Sequence, residues 1–362
     1  MSSGNYVIPK TMKAAVVRHT GAPLEVVNDW PVTQPNELKP GEVLLKMDCT
    51  GVCHTDLHAA KGDWPIPAKT PLIGGHEGVG IVVAIGAHTQ DKSIKLGDRV
   101  GVKWVRPCLL SGDSLFTFVR LVCLKGEYSG FTVDGTFSEY VKSYIRHVTP
   151  IPDGINSAEA ASILCAGVTV YRAIKPRSPC HPVRHRHGSS CLRRRYVFPP
   201  PISLVPGADT PSTIDTGAEK RDLCFKLGAE RWVDFRESKD IVADIKAACD
   251  GQGPHAAVVT AATSKAYEQA VDYLRPGGYL MVVGLPAKAA LAADIFFTVV
   301  KGISILGSYV GNRQDAREAL DIAARGKVKC HYVVKPLAAL KETYEGMEKG
   351  TVVGRVVLDF KQ

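Results

Sequence analysis

No apolar run in this chain approaches the roughly 20 residues that a membrane-spanning helix needs. The opening Met1 to Val7 has neither an apolar core nor an arginine-rich amphipathic stretch, so no secretory or organellar address is expected. Aromatic residues make up only 7%, and nowhere do they interleave with basic residues in the way that reads nucleic acid. The net charge of +9 does not alter this, because residues 176–213, with six Arg, one Asp and neither Lys nor Glu, supply +5 of it. These absences exclude nucleic acid and membrane as expected partners and point to the cytoplasm. There the ten cysteines are metal ligands or core residues, not disulfides.

What is present is ordinary for a globular enzyme: 45% hydrophobic and 22% charged residues over 362 positions, enough for two domains with cores of their own. The first 165 residues read as short strands punctuated by Gly and Pro, at Ala14 to Val17, Val43 to Met47, Val79 to Ile85 and Arg99 to Val102. From Ile214 the pattern becomes alternating: helix Arg221 to Leu227, buried strand Ala256 to Thr260, helix Ser264 to Leu274, strand Tyr279 to Val283. Such alternation predicts a parallel sheet covered by helices, so the fold class is α/β with a mostly-β companion domain. Residues 176–213 interrupt it. They hold eight of the 23 prolines, including Pro199-Pro200-Pro201, beside Arg193-Arg194-Arg195. Proline removes ladder donors and fixes φ, so a loop is expected here and neither a central strand nor a useful helix.

Four metal-capable residues stand in distinctive contexts: Cys53 in Gly51-Val-Cys-His-Thr-Asp-Leu-His58, His76 and Glu77 in Gly74-Gly-His-Glu-Gly-Val-Gly80, and Cys165 in Ile163-Leu-Cys-Ala-Gly167. One imidazole and two thiolates around Zn²⁺ leave a fourth position open, and an open position is what separates a catalytic zinc from a structural one. Taken singly, each residue is weak evidence; Cys165 also suits a core thiol and Glu77 a turn carboxylate.

With Lys61-Gly-Asp-Trp-Pro65, Leu96-Gly-Asp-Arg-Val100, Gly307-Ser-Tyr-Val-Gly-Asn-Arg313 and Val353-Gly-Arg355, the chain resembles the fungal zinc-containing alcohol dehydrogenases of the medium-chain dehydrogenase/reductase family. The resemblance runs from Met12 to Trp104 and from about Ile214 onward. It implies a GroES-like catalytic domain over residues 1–166 and 311–362, and a Rossmann-type NAD-binding domain over 167–310. It implies a catalytic zinc on Cys53, His76 and Cys165, with Glu77 an alternative ligand and Asp56 orienting His76. Thr55 and His58 become the path that carries the alcohol proton away, although an ordinary surface histidine is the other reading of His58. Trp64 and Trp104 become walls of a pocket for short primary alcohols, or else core aromatics.

For the cofactor, the resemblance implies contacts from His54, Asp215, Lys220, Val283 and Arg355. An acid such as Asp215 at the end of the second strand binds ribose hydroxyls and repels a 2′-phosphate, favouring NAD over NADP. The bland alternative for these charges is a solvated face. A homotetramer is the family's usual assembly.

Two segments depart from the family pattern. The glycine-rich phosphate turn expected between Lys175 and Ile214 is absent, and no G-x-G-x-x-G occurs anywhere; Gly251-Gln-Gly-Pro-His-Ala256 precedes a strand and contains proline, so it is a chance match. Between Trp104 and Ser129, only Cys108 and Cys123 stand where the family places four cysteines, and two cannot complete a Cys₄ structural zinc site. Both segments keep about the family length, which a shift of reading frame or mis-splicing would produce. An inactive member that binds zinc but not NAD is therefore the alternative expectation to an active dehydrogenase, and resequencing the transcript tests it.

Overall fold

β-Branched runs become the sheet that carries the first unit. Strand Glu42–Gly51 pairs antiparallel with Gly78–Ile85 along its length, and with Tyr140–Tyr144 and Arg355–Asp359 over parts of it. The order across the sheet is Thr149–Pro150, Arg99–Gly101, Gly78–Ile85, Glu42–Gly51, Arg355–Asp359 and Tyr332–Pro336. A smaller sheet sets Thr11–Val17 between Leu24–Pro31 and Leu72–Ile73. Val16, Leu44, Ile73, Phe137, Leu340 and Leu358 lie in the core between these layers.

The computed structural model describes residues 6–106, 126–175, 196–197 (backbone), 212–261 and 263–361. Cys108, Cys123, Arg193 to Arg195 and the place expected for the glycine turn lie outside them. The chain divides into one unit of Met1–Val168, Val310–Arg325 and Tyr332–Gln362, and a second of Thr169–Tyr309 and Gly326–His331.

The second unit is a six-stranded, wholly parallel sheet in the order Arg231–Asp234, Ser212–Asp215, Tyr196–Val197, Ala256–Val259, Tyr279–Val282, Ser304–Gly307. Helices Ala218–Lys226, Ile241–Ala248, Ser264–Tyr273 and Ile295–Lys301 connect it. Ala257, Ala270, Leu274 and Leu280 form its dry centre, where small side chains let helix approach sheet.

One expectation is corrected here. A central strand was excluded from 176–213, yet Tyr196–Val197 pairs with Ala256 and Ala257 on one side and Ser212 on the other. The strand also starts earlier than expected at Ser212, inside the same segment. The physical reason is composition: Tyr196 and Val197, one aromatic and one β-branched, both favour extended pairing and neither lacks the N–H that proline lacks.

The first unit also buries His147, whose Nε2 donates to the Lys103 carbonyl at 3.1 Å while Nδ1 has no partner. Burial, reinforced by the nearby Lys103 charge, holds its pKa well below the ordinary 6.5. The unfolded chain therefore takes up a proton below pH 6.5 that the folded chain refuses, so stability falls as pH drops through that window. We expect the denaturation midpoint of wild type to fall more steeply between pH 7 and 5 than that of His147→Gln. The difference is up to about 1.4 kcal/mol per pH unit, the slope set by one proton.

Candidate metal centre

Two separate segments meet at one carboxylate. Cys53 is the residue before helix His54–Lys61, and its N–H donates to Asp56 Oδ2 at 3.0 Å. Asp56 Oδ1 accepts from the Gly75 N–H at 3.0 Å and lies 2.8 Å from His76 Nδ1. Gly75 has φ +95, and a Cβ there would lie 2.6 Å from Thr136 Oγ1, so only glycine makes the turn that aims the imidazole inward. Asp56 and His76 are both buried. With its Nδ1 engaged, His76 offers Nε2 to the centre.

Nε2 lies 3.2 Å from Cys165 Sγ, which a π-helical turn, Ile163–Gly167, presents. Cys53 Sγ is 3.9 Å from Cys165 Sγ, and Glu77 Oε1 is 4.0 Å from His76 Nε2. One ligand atom from each of Cys53, His76, Glu77 and Cys165 lies within 4.8 Å of the others. The sequence-predicted ligands are thus brought together.

Electrostatics at the centre suit a cation. The adjoining Cys165 thiol, acting against burial and joined by the Arg355 and His76 charges, holds the Cys53 thiol well below its usual range. Burial alone would lower the pKa of His76, but the Asp56 charge and hydrogen bond outweigh it and raise the value to about 9. Buried Cys49 behaves oppositely: burial first, then Asp48, pushes its thiol up to about 12. The two kinds of cysteine differ by environment, not by burial alone.

The aromatic wall stands beside the ligands. The Trp104 ring is 5.0 Å from that of His76, and Trp64 packs edge-on to Trp104 at 6.1 Å. Phe131 touches both indoles, at 5.5 and 5.8 Å, and Tyr128 lies 5.5 Å from Trp104. Sequence reasoning missed Phe131 and Tyr128, which no periodic pattern singles out.

Thr55 and His58 are three residues apart on helix His54–Lys61, hence neighbours on its surface. His58 Nδ1 is 2.7 Å from Asp63 Oδ2, a partner that the sequence reading missed although it lies only five residues on. His54 is exposed on the same helix, its ring 6.5 Å from that of His58. Arg355, expected as a pyrophosphate contact, has its guanidinium on Glu77. No motif marks that pairing, since the two residues are 278 positions apart.

Asp215, Lys220 and Val283 belong to the second unit. Asp215 closes its strand, and Oδ1 accepts from Thr216 N–H at 2.8 Å and from Lys220 Nζ at 3.5 Å. Val283 follows strand Tyr279–Val282, its N–H donating to Val259 O at 3.2 Å.

Residues 39–153 match the family described as alcohol dehydrogenase GroES-like domain, and residues 204–325 match zinc-binding dehydrogenase. Alcohol dehydrogenase 1 of Emericella nidulans is 42% identical over 98% of this chain and 99% of its own length. Alcohol dehydrogenase 1 of Neurospora crassa is also 42% identical, covering 98% of each. Among solved structures, the alcohol dehydrogenase of Aeropyrum pernix superposes with a TM-score of 0.79 at 26% identity, over 96% of this chain and 99% of that one. Acetophenone reductase of Geotrichum candidum, solved in complex with NAD, gives 0.79 at 25% identity over 99% and 100%.

Proposed function

Because the chain belongs to the zinc-dependent, medium-chain alcohol dehydrogenases, we propose that it interconverts short primary alcohols and aldehydes with NAD as hydride carrier. The observation that carries this reading is the Cys53, His76, Cys165 and Glu77 cluster, in which Asp56 links the Cys53 and His76 segments.

The donor set fits zinc: two sulfurs and an imidazole nitrogen in a buried, converging arrangement, with a carboxylate in reserve. Cys53, His76 and Cys165 would hold the ion. Bound zinc supplies a Lewis acid that makes an alcohol acidic near neutral pH. The chain's own residues do the rest. Asp56 fixes the tautomer and orientation of His76. The Thr55 hydroxyl accepts a proton while passing on its own, and His58, one helical turn away, delivers it to solvent. The carboxylate of Asp63 accepts from His58 Nδ1, which leaves Nε2 as the basic nitrogen. Trp64, Trp104 and Phe131 confine the substrate to a short chain.

The Asp215 carboxylate, held at the end of its parallel strand by Thr216 N–H and Lys220, fits a ribose diol and disfavours a 2′-phosphate. Val283, in the loop after its own strand of the same sheet, would contribute beside it. A homotetramer is the proposed assembly. It is supported by exposed apolar residues of helix Ile295–Lys301, with Ile295 80%, Phe296 67%, Val299 72% and Val300 66% accessible. A patch of this kind marks an interface.

A second reading, an inactive member that binds zinc without NAD, is favoured by one observation. The sequence that follows the described central strand Tyr196–Val197 offers no glycine turn. Absorbance at 340 nm with NAD⁺ and ethanol, on protein of known zinc content, separates the two. Ethanol-dependent turnover supports the dehydrogenase; stoichiometric zinc without turnover or NAD binding sinks it.

Substituting Asp56→Asn is expected to lower zinc affinity about 10- to 100-fold, as loss of a ligand's supporting carboxylate commonly does. Chelator competition measures it, and unchanged affinity would remove Asp56 from the centre.

A further inference from the structure

Glu77 is wholly buried, yet only one of its carboxylate oxygens is engaged. Arg355 Nη2 donates to Oε1, while Oε2 has no hydrogen-bond partner. Oε2 lies over Gly51, where a Cβ would fall 2.1 Å from it, so glycine is required for the carboxylate to rest there. A buried carboxylate oxygen without a donor is costly, and the group must answer to some cation. Two positions for one are within reach: the Arg355 guanidinium and the centre formed by Cys53, His76 and Cys165, whose ligand atoms all lie within 4.8 Å of Glu77. Arg355 keeps a further unused donor, since its Nε is buried without a partner.

We infer that Arg355 is a positioning residue for the metal centre: by pairing with Glu77 it holds that carboxylate back from the ion and so keeps the fourth coordination position open to exchange. This rests on Cys53, His76 and Cys165 being the zinc ligands. A cationic donor suits the task, because its attraction to the carboxylate opposes that of the ion. The spare donor of Arg355 gives the device a second input. An anionic group that draws Arg355 toward itself releases Glu77 toward the metal, so occupancy of the arginine and coordination at the ion are coupled, each altering the other by the same factor.

The test uses the full chain without NAD, with Co²⁺ replacing zinc so that the visible ligand-field bands report coordination directly. Imidazole serves as the exchangeable ligand. Wild type and R355K are expected to bind imidazole with similar affinity, whereas R355L binds it at least tenfold more weakly and shows altered bands before any addition. The double variant R355L/E77Q should recover wild-type imidazole binding, because no carboxylate remains to occupy the position. Should the leucine variant fail to fold, R355Q carries the same comparison, keeping a donor without the charge. Stoichiometric cobalt in R355L or R355Q with unchanged imidazole affinity overturns the inference while leaving the metal centre standing. So does a double variant that stays impaired. Absence of cobalt uptake by wild type overturns the metal reading itself, and the inference with it.

Discussion

Cys165→Ala is expected to abolish stoichiometric zinc binding and to reduce ethanol-dependent turnover by about 10³-fold. The size follows from what the ion supplies, several kcal/mol of charge stabilisation, at about 1.4 kcal/mol for each tenfold in rate. The matched control is Cys49→Ala. Both cysteines are buried in the first unit, but Cys49 has its thiol pushed up to about 12 and lies in the core strand Glu42–Gly51, away from the cluster. Its replacement should cost stability through a small void and leave zinc and turnover in place. Zinc content by elemental analysis, paired with the 340 nm assay, checks both. Full zinc in the Cys165 variant would return that residue to the core.

The second large effect concerns the cofactor. Exchanging residues 176–211 for a strand, a G-x-G-x-x-G turn and a helix is expected to tighten NAD binding by 10²-fold or more. The argument is local. Backbone N–H groups at a helix N-terminus form charge-assisted hydrogen bonds to a pyrophosphate, and only glycine lets the backbone come close enough. Two such bonds are worth roughly 3 to 4 kcal/mol, which is about two to three powers of ten in affinity. Isothermal titration of both chains with NAD measures the difference. Equal affinities would mean that this chain meets the phosphates with other groups.

How much was legible beforehand depended on the range of each interaction. Val43 to Met47 announces itself by its apolar residues and Val79 to Ile85 by a β-branched run, and the structure extends them to Glu42–Gly51 and Gly78–Ile85. Leu24–Pro31 was not anticipated, because its mostly exposed residues lack the alternation of a half-buried strand. Helix Ser264–Tyr273 and strand Tyr279–Val282 fell within a residue of expectation. Tyr196–Val197 was misjudged because proline content argues against a long strand but does not forbid a two-residue pairing.

The site shows the same division. Cys53 with Asp56, and Gly75 with His76, are neighbours in the chain, so short motifs reveal them. What Arg355 does could not be read, since pairing with Glu77 joins the last strand of the first unit to a turn far earlier in sequence. Phe131 reaches the indoles through a turn held by hydrogen bonds to Tyr128, which again leaves no periodic trace.

The three contacts of Asp56 also divide the protein's heritable variation. This carboxylate clasps the start of helix His54–Lys61 and the Gly75 turn, so residues 64–71, which begin with Trp64 and leave out Asp63, lie between two ends whose separation is already set. Lengthening such a loop costs little, about 0.6 kcal/mol for a doubling, and need not move a single ligand. Insertions and substitutions there can reshape which alcohols enter while the reaction chemistry stays untouched. Diversification of substrate range within the lineage should therefore concentrate in this stretch.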